Sequence, residues 1–199
     1  MDPQCGWCYG NSENIQTLYA TYKDKAEIEI VVGGMWLGDQ APIGGDGLSQ
    51  FIQNHAPRMV ETTGADVREG YYNRVKDSTY AFSSLEPSAA IVWVKVNYPE
   101  KAVEFTGNVQ KALFKDGLRL DKIEVYTAIL NNMKIESNVF TIEWMSEENL
   151  KQTKAEFNRA STLANGFPTF ILQSKDKQEV LASGYFDLER MTNVLNERL

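Results

Sequence analysis

The chain has two cysteines, Cys5 and Cys8, separated only by Gly6 and Trp7 in the run Asp2-Pro3-Gln4-Cys5-Gly6-Trp7-Cys8-Tyr9-Gly10. If Pro3 and Gln4 open a helix, positions i and i+3 put both sulfurs on one face of its first turn. The first sulfur then lies among backbone N–H groups that have no intrahelical partner, at the positive end of the helix dipole. That setting favours thiolate over thiol, and thiolate is the nucleophile. A second thiol within reach closes a disulfide and releases whatever the first has captured. The residue types and their spacing therefore describe a couple for dithiol–disulfide exchange.

Two other uses of such a pair compete with this one. A structural zinc site takes four ligands, mostly Cys or His. Here there is no third cysteine, and the single histidine, His55, lies fifty residues away on a different expected helix. No metal is expected. A purely structural bridge is the other alternative, but a disulfide closing so short a loop removes little entropy from the unfolded chain.

The elements that must position the pair are readable from periodicity. Ile15, Leu18, Tyr19 and Tyr22 recur at helical spacing, so one helix is expected from the cysteines to about Lys25. Residues 26–32 alternate and then turn apolar and β-branched, which predicts a strand, stopped by Gly33-Gly34. From 35 to 163 the pattern is helical. Helices are expected at about 48–62 (with Pro57 a kink or break), 65–75, from Pro87 to about 98, and onward from Pro99 with Ala102, Phe105, Val109, Ala112, Leu113 and Phe114 as an apolar stripe. Asp121, Ser137 and Ser146 are expected to cap helices at 122–133, 138–144 and 147–163. Two strands follow, Thr169-Phe170-Ile171-Leu172 and Glu179-Val180-Leu181-Ala182-Ser183, joined by a turn at Ser174-Lys175-Asp176-Lys177, and then a helix opened by Asp187 or its neighbour.

Length and composition limit the function classes. A chain of 199 residues, 43% hydrophobic and 11% aromatic, can pack a core without further disulfides or metals. Its net charge of −7, from 20 basic and 27 acidic residues with no basic cluster, disfavours nucleic-acid or anionic-membrane partners. No apolar run is long enough to span a bilayer. The first residues do not read as a signal peptide, and cytoplasm is the expected compartment.

The order helix, strand, helical block, strand, strand, helix, with Cys-x-x-Cys at the first helix and Gly166-Phe167-Pro168-Thr169 before the penultimate strand, resembles the thioredoxin superfamily. It is most similar to the DsbA-like branch, and the run Asp2 to Gly10 resembles its FrnE-like subgroup of dithiol–disulfide isomerases and oxidoreductases. Gly33-Gly34, the run Val109 to Phe114 with Gly117, and Phe170 extend the likeness over nearly the whole chain. The resemblance implies an α/β fold with a discontinuous thioredoxin-like core (1–34 and 164–199) and an all-helical insertion (35–163). It implies Cys5 as attacking thiolate, Cys8 as resolving thiol, and a cis Pro168 facing them. Gly6, Trp7 and Phe167 join Pro168 in binding an extended substrate, with the Phe167 backbone offering hydrogen bonds. Substrates would be protein or small-molecule thiols and disulfides, and no cofactor is called for.

Gly6-Trp7 carries no positive charge, so Cys5 is expected between the extreme acidity near pKa 3.5 reached by some such dithiols and an ordinary thiol near about 8.5. Redox direction stays open across the range of about −270 to −120 mV that such proteins span. Asp2 is the nearest candidate proton acceptor, although a turn or cap role before Pro3 fits the residue better. Trp7 reads equally as a tuner of the thiol or as an apolar lid.

Three rival readings remain. Glutathione-dependent kappa-class transferases and 2-hydroxychromene-2-carboxylate isomerases resemble the same arrangement but generally carry serine at the first active position. A non-catalytic binding module would use Trp36, Tyr71, Tyr72, Trp93 and Trp144 as a partner surface, though aromatics at helical spacing more often form core. His55 reads as a surface or capping residue. One element is also missing from the pattern: a strand leading into the Cys-x-x-Cys helix, between residues 28–32 and 169–172. Met1 to Gln4 is too short for an ordinary strand of about five or six residues. The expectation is that upstream residues, another segment or a second subunit fill that position.

Overall fold

The computed structural model describes residues 1–175 and 177–199, so Asp176 of the expected turn lies outside the described residues. Helices α1 (Gly6–Gly10) and α2 (Ser12–Tyr22) come first, where one continuous helix to about Lys25 was expected. They are divided at Asn11, whose side chain turns away to Trp7 and Gly184 carbonyls at 3.2 and 3.4 Å and accepts from the Phe186 N–H at 3.3 Å. Asn11 thus ties the two ends of the sequence together beside the cysteines.

The helical block comprises α3 (Asp46–Thr63), α4 (Glu69–Arg74), α5 (Leu85–Asn97), α6 (Ala102–Phe114), α7 (Ile123–Asn132), α8 (Asn138–Glu143) and α9 (Glu147–Leu163). Helix α5 is buried from Pro87 through Val94. Its apolar run Ala89-Ala90-Ile91-Val92-Trp93-Val94 has no polar face to show, which suits a helix wrapped by others. Helix α6 lies against α2, and the approach is close because position 107 is glycine: a Cβ there would sit 2.7 Å from the Gln16 amide nitrogen. Ser146 caps α9 by accepting from the Asn149 N–H. Helix α3 runs through Pro57, so of the kink or break expected there the break does not occur; neighbouring turns keep their bonds and only one N–H is lost. Lys122, not Asp121, takes the N-cap position of α7; the Asp121 carboxylate instead holds Arg119 at 2.7 Å.

The sheet is an antiparallel hairpin, β1 (Thr169–Gln173) with β2 (Gln178–Ser183), irregular between Phe170 and Ile171. Helix α10 (Leu188–Asn196) follows, capped by Asp187. The strand expected at 26–32 is not in the sheet. Burial still alternates over residues 27–30, the period of an extended chain, but among the described residues the segment has no ladder partner. Side chains hold it instead: Lys95 Nζ donates to the Ile30 carbonyl at 3.0 Å and meets the Glu29 and Glu156 carboxylates at 2.6 and 2.9 Å, while Arg159 holds Glu29 at 2.7 Å. Between this segment and β1 runs an open groove of about 800 Å³.

Among the described residues, two apolar clusters form the core. The larger spans the helical block and reaches Tyr9 and Val32. The smaller, Leu18, Tyr22, Phe186 and Met191, joins α2 to the hairpin and α10.

Candidate active site

Residues 2–5 form a turn rather than the first turn of a helix. The Cys5 N–H donates to the Asp2 carbonyl at 3.2 Å and the Gln4 N–H to Asp2 Oδ1 at 2.9 Å. Cys5 is consequently the N-cap of α1, in extended conformation (φ −83°, ψ 117°), and Cys8 lies in the first turn. The two sulfurs share one face as the spacing predicts. Both are free thiols, and both residues are buried, Cys5 8% and Cys8 5% exposed.

Their surroundings push the thiols apart. Cys5 is held below the ordinary thiol range, chiefly by a hydrogen bond from the Cys8 thiol, with the Cys8 and Trp7 N–H groups adding to this against the effect of burial. Cys8 is raised well above that range, first by its burial and then by facing the Cys5 sulfur. Of the two sulfurs, Cys5 is biased toward thiolate and Cys8 toward keeping its proton. Coupled thiols share their titration, so the asymmetry belongs to the pair.

Phe167 and Pro168 come to this pair from the far end of the chain. The Phe167–Pro168 bond is cis, and the Phe167 carbonyl oxygen lies 3.6 Å from the Cys5 sulfur. Gly33 makes that possible. A Cβ at 33 would fall 2.1 Å from the tip of the Phe167 ring, so the ring occupies space that a side chain at 33 would fill. Gly34 adopts a left-handed φ of +63° and would place a Cβ 2.8 Å from the Phe157 ring. Gly6 and Trp7 are half-buried beside the cysteines. The six residues singled out from the sequence thus converge in one place.

Several supports carried weaker sequence signals. Asp2 is fully buried and acts as a buckle: Oδ1 accepts from Gln4 N–H and, at 3.0 Å, from Ser84 Oγ, while Oδ2 accepts from Met35 N–H at 2.7 Å. Burial raises its carboxyl above the usual range despite these donors. Its own N–H donates to the Cys8 sulfur at 3.4 Å. Gln4 Nε2 donates to the Ser83 carbonyl at 2.8 Å. Tyr9 stacks on Phe114 at 4.8 Å, anchoring α1 on α6. Asp-Pro at the start of a motif signals a turn, but Ser84 and Met35 had no signal in sequence, because their role exists only through distant contacts.

Among the remaining candidates, Tyr71 and Trp93 are core residues, and Trp36, Tyr72 and Trp144 are half-buried against the same cluster. His55 is exposed within α3, stacked on Phe51 at 4.2 Å, and caps nothing. Among the described residues, no group of three or more His, Cys, Asp or Glu is placed to hold a metal, and no helix is long and apolar enough to cross a membrane.

No protein-family model and no curated protein matches the chain. Solved structures do. A provisionally named protein disulfide isomerase from Nitrosomonas europaea superposes with a TM-score of 0.85 at 21% identity, over 98% of this chain and 93% of the other. The cytosolic disulfide reductase DsbM from Pseudomonas aeruginosa gives 0.79 at 23% identity, over 99% and 91%. The same protein with GSH gives 0.79 at 24%, over 100% and 97%. On these likenesses, the chain has the DsbA-like thioredoxin fold with a helical insertion.

Proposed function

We propose that the protein is a thiol–disulfide oxidoreductase of the FrnE-like kind, working through Cys5 and Cys8. The observation that carries the reading is the asymmetry of the pair: an acidified Cys5 at a helix N-cap, 3.6 Å from the Phe167 carbonyl, backed by a buried Cys8 whose proton is held. In the reducing direction the Cys5 thiolate attacks one sulfur of a substrate disulfide. A mixed disulfide forms and the second substrate sulfur leaves as thiolate, taking up a proton. Cys8 then gives up its proton and attacks the Cys5 sulfur, which closes the Cys5–Cys8 disulfide and expels the first substrate sulfur. Two electrons pass from the dithiol to the substrate disulfide, and an external thiol returns the pair to its reduced state. Isomerisation uses the same first attack, with release by another substrate thiol.

In this reading Gly6, Trp7, Phe167 and Pro168 form the wall against which an extended substrate lies, and the Phe167 backbone aligns it. Residues 1–34 and 164–199 serve as the catalytic core and 35–163 as the helical cover. Glutathione is the proposed small-thiol partner and cytoplasm the compartment, supported by the cytosolic, GSH-bound Pseudomonas neighbour. A glutathione transferase or chromene-carboxylate isomerase would need no second, resolving thiol. Turnover in an insulin-reduction assay with glutathione, lost in Cys5→Ser and in Cys8→Ser, is the expected result. Full turnover in the Cys8→Ser variant would instead mean that glutathione resolves the mixed disulfide without Cys8, and no turnover in the parent protein would favour the transferase class.

A further inference from the structure

Tyr71 brings a hydroxyl without a partner to the Cys5 side of the helical block. Five tyrosines are buried: Tyr9, Tyr22, Tyr71, Tyr80 and Tyr126. The hydroxyls of Tyr9, Tyr22, Tyr80 and Tyr126 are hydrogen-bonded within the protein, as buried tyrosine oxygens ordinarily are. Among the described residues, the Tyr71 hydroxyl has no such bond, although the residue is only 5% exposed. Nor is its oxygen sealed in, as the unpaired Gln4 Oε1 and Gln110 Nε2 are, so the tip of the side chain opens to the surface. The ring shows where. It packs on Phe114 at 4.8 Å, and a Phe114 ring carbon lies 3.9 Å from where a Cβ on Gly6 would stand. One aromatic ring thus separates Tyr71 from the residue that follows Cys5.

The side chain is held in place and held protonated. The Arg68 N–H donates to the Phe114 carbonyl at 3.1 Å, and Arg74 Nε to the Gly117 carbonyl at 2.9 Å. Gly117, at a φ of +67°, comes so close to Gly70 that a Cβ on it would stand 2.3 Å from the Gly70 carbonyl. These contacts pin α4, and Tyr71 with it, to the end of α6. Burial first, and then the charges of Tyr72, Cys5 and Tyr80, push the phenol up, so at neutral pH it is a hydrogen-bond donor. No bond joins that donor to the Cys5 sulfur, whose own contact is the Phe167 carbonyl. An acceptor must therefore arrive with the substrate.

We propose that Tyr71 is a further catalytic residue, whose hydroxyl donates a hydrogen bond to the substrate sulfur that leaves when Cys5 attacks. The inference rests on the reading of Cys5 as the attacking thiolate. As the Cys5 sulfur bonds to one substrate sulfur, the substrate S–S bond breaks and its electron pair departs on the other sulfur. With S–S bonds of about 2.05 Å, a linear arrangement puts that departing sulfur about 4 Å from Cys5. Negative charge thus develops one sulfur further out, where a fixed hydroxyl beyond bonding distance of Cys5 can meet it. Tyr71 keeps its own proton, and the departed thiolate takes one from water.

The test is Tyr71→Phe, which keeps the ring on Phe114 and removes only the hydroxyl. It is made in Cys8→Ser protein, so that the reaction stops after the first attack. Three probes at one pH differ in what Cys5 expels. Glutathione disulfide releases a basic thiolate, dithiobis(nitrobenzoate) a weakly basic one, and iodoacetamide an iodide without sulfur. The expected result is attack on glutathione disulfide slowed at least about tenfold, since donors to charged acceptors are the strong ones. Attack on dithiobis(nitrobenzoate) should be slowed less, alkylation by less than about twofold, and the urea midpoint should not move. Equal slowing with all three probes would assign the effect to packing or to Cys5 acidity and overturn the proposal. Unchanged attack on glutathione disulfide would overturn it too, while leaving the oxidoreductase reading intact. If Cys8→Ser protein with Tyr71 in place forms no glutathione adduct on Cys5, that reading fails and this proposal with it.

Discussion

The Cys5 sulfur lies 3.6 Å from the carbonyl oxygen of Phe167, a residue 162 positions later in the chain. That contact joins the two halves of the site. It depends on α1 presenting the thiol at its N-cap and on Gly33 letting the Phe167 ring pack against the chain. Each support can be removed separately.

The acidity of Cys5 rests first on the hydrogen bond from Cys8. In the reduced protein, the pH midpoint for iodoacetamide labelling of Cys5 should lie below the ordinary thiol value of about 8.5. Cys8→Ala should move it upward, and Cys8→Ser, which keeps a donor, should move it less. Faster labelling of Cys8 at mildly acidic pH would reverse the assignment of roles.

Mixed disulfides should accumulate on Cys5 in the Cys8→Ser variant, because no resolving thiol remains. Cys5→Ser should trap few and lose turnover. Non-reducing gels and mass spectrometry after exposure to oxidised glutathione read this directly. Similar trapping in both variants would mean that the two sulfurs do not act in sequence.

Gly33→Ala should push the Phe167 ring away, since the new methyl would overlap it. Overpacking of this kind costs about 1–3 kcal/mol. Turnover should fall further than stability alone explains, because the Phe167 carbonyl moves with its ring. Urea unfolding alongside the insulin assay separates the two effects, and unchanged activity would show that Phe167 placement is not limiting.

Glu29 ionises at about 2 instead of 4.5, held down first by Arg159 and also by Lys95. A depressed carboxyl adds stability above its unfolded pKa of 4.5 and loses it as pH falls toward about 2. Glu29→Gln should therefore be less stable than the parent at pH 7, by no more than about 1 kcal/mol for a half-exposed network. The gap should close between pH 4.5 and about 2. Urea midpoints across that range check it; a constant gap would assign the effect to packing instead of charge.

Much of the architecture was legible in local pattern. Helix α9 begins and ends where Ser146 and the helical spacing up to Leu163 place it, and β1, β2 and α10 start within a residue or two of their expected positions. Caps, turns and periodicity are short-range effects, so neighbouring residues suffice to reveal them. The break allowed for at Pro57 is absent because whether a helix tolerates proline depends on what packs around it, and residues 26–32 were misread because a strand needs a partner as well as a propensity.

The sequence by itself determined the chemistry available: two thiols, two residues apart, able to share a helical face. The tertiary structure decided what distinguishes them. Burial raises Cys8, and Cys8 in turn acidifies Cys5. Distant Ser84 and Met35 complete the shell of Asp2, and Gly33 and Phe167 bring the second wall to the sulfur. These relationships depend on distance and dielectric in space, which no spacing along the chain encodes.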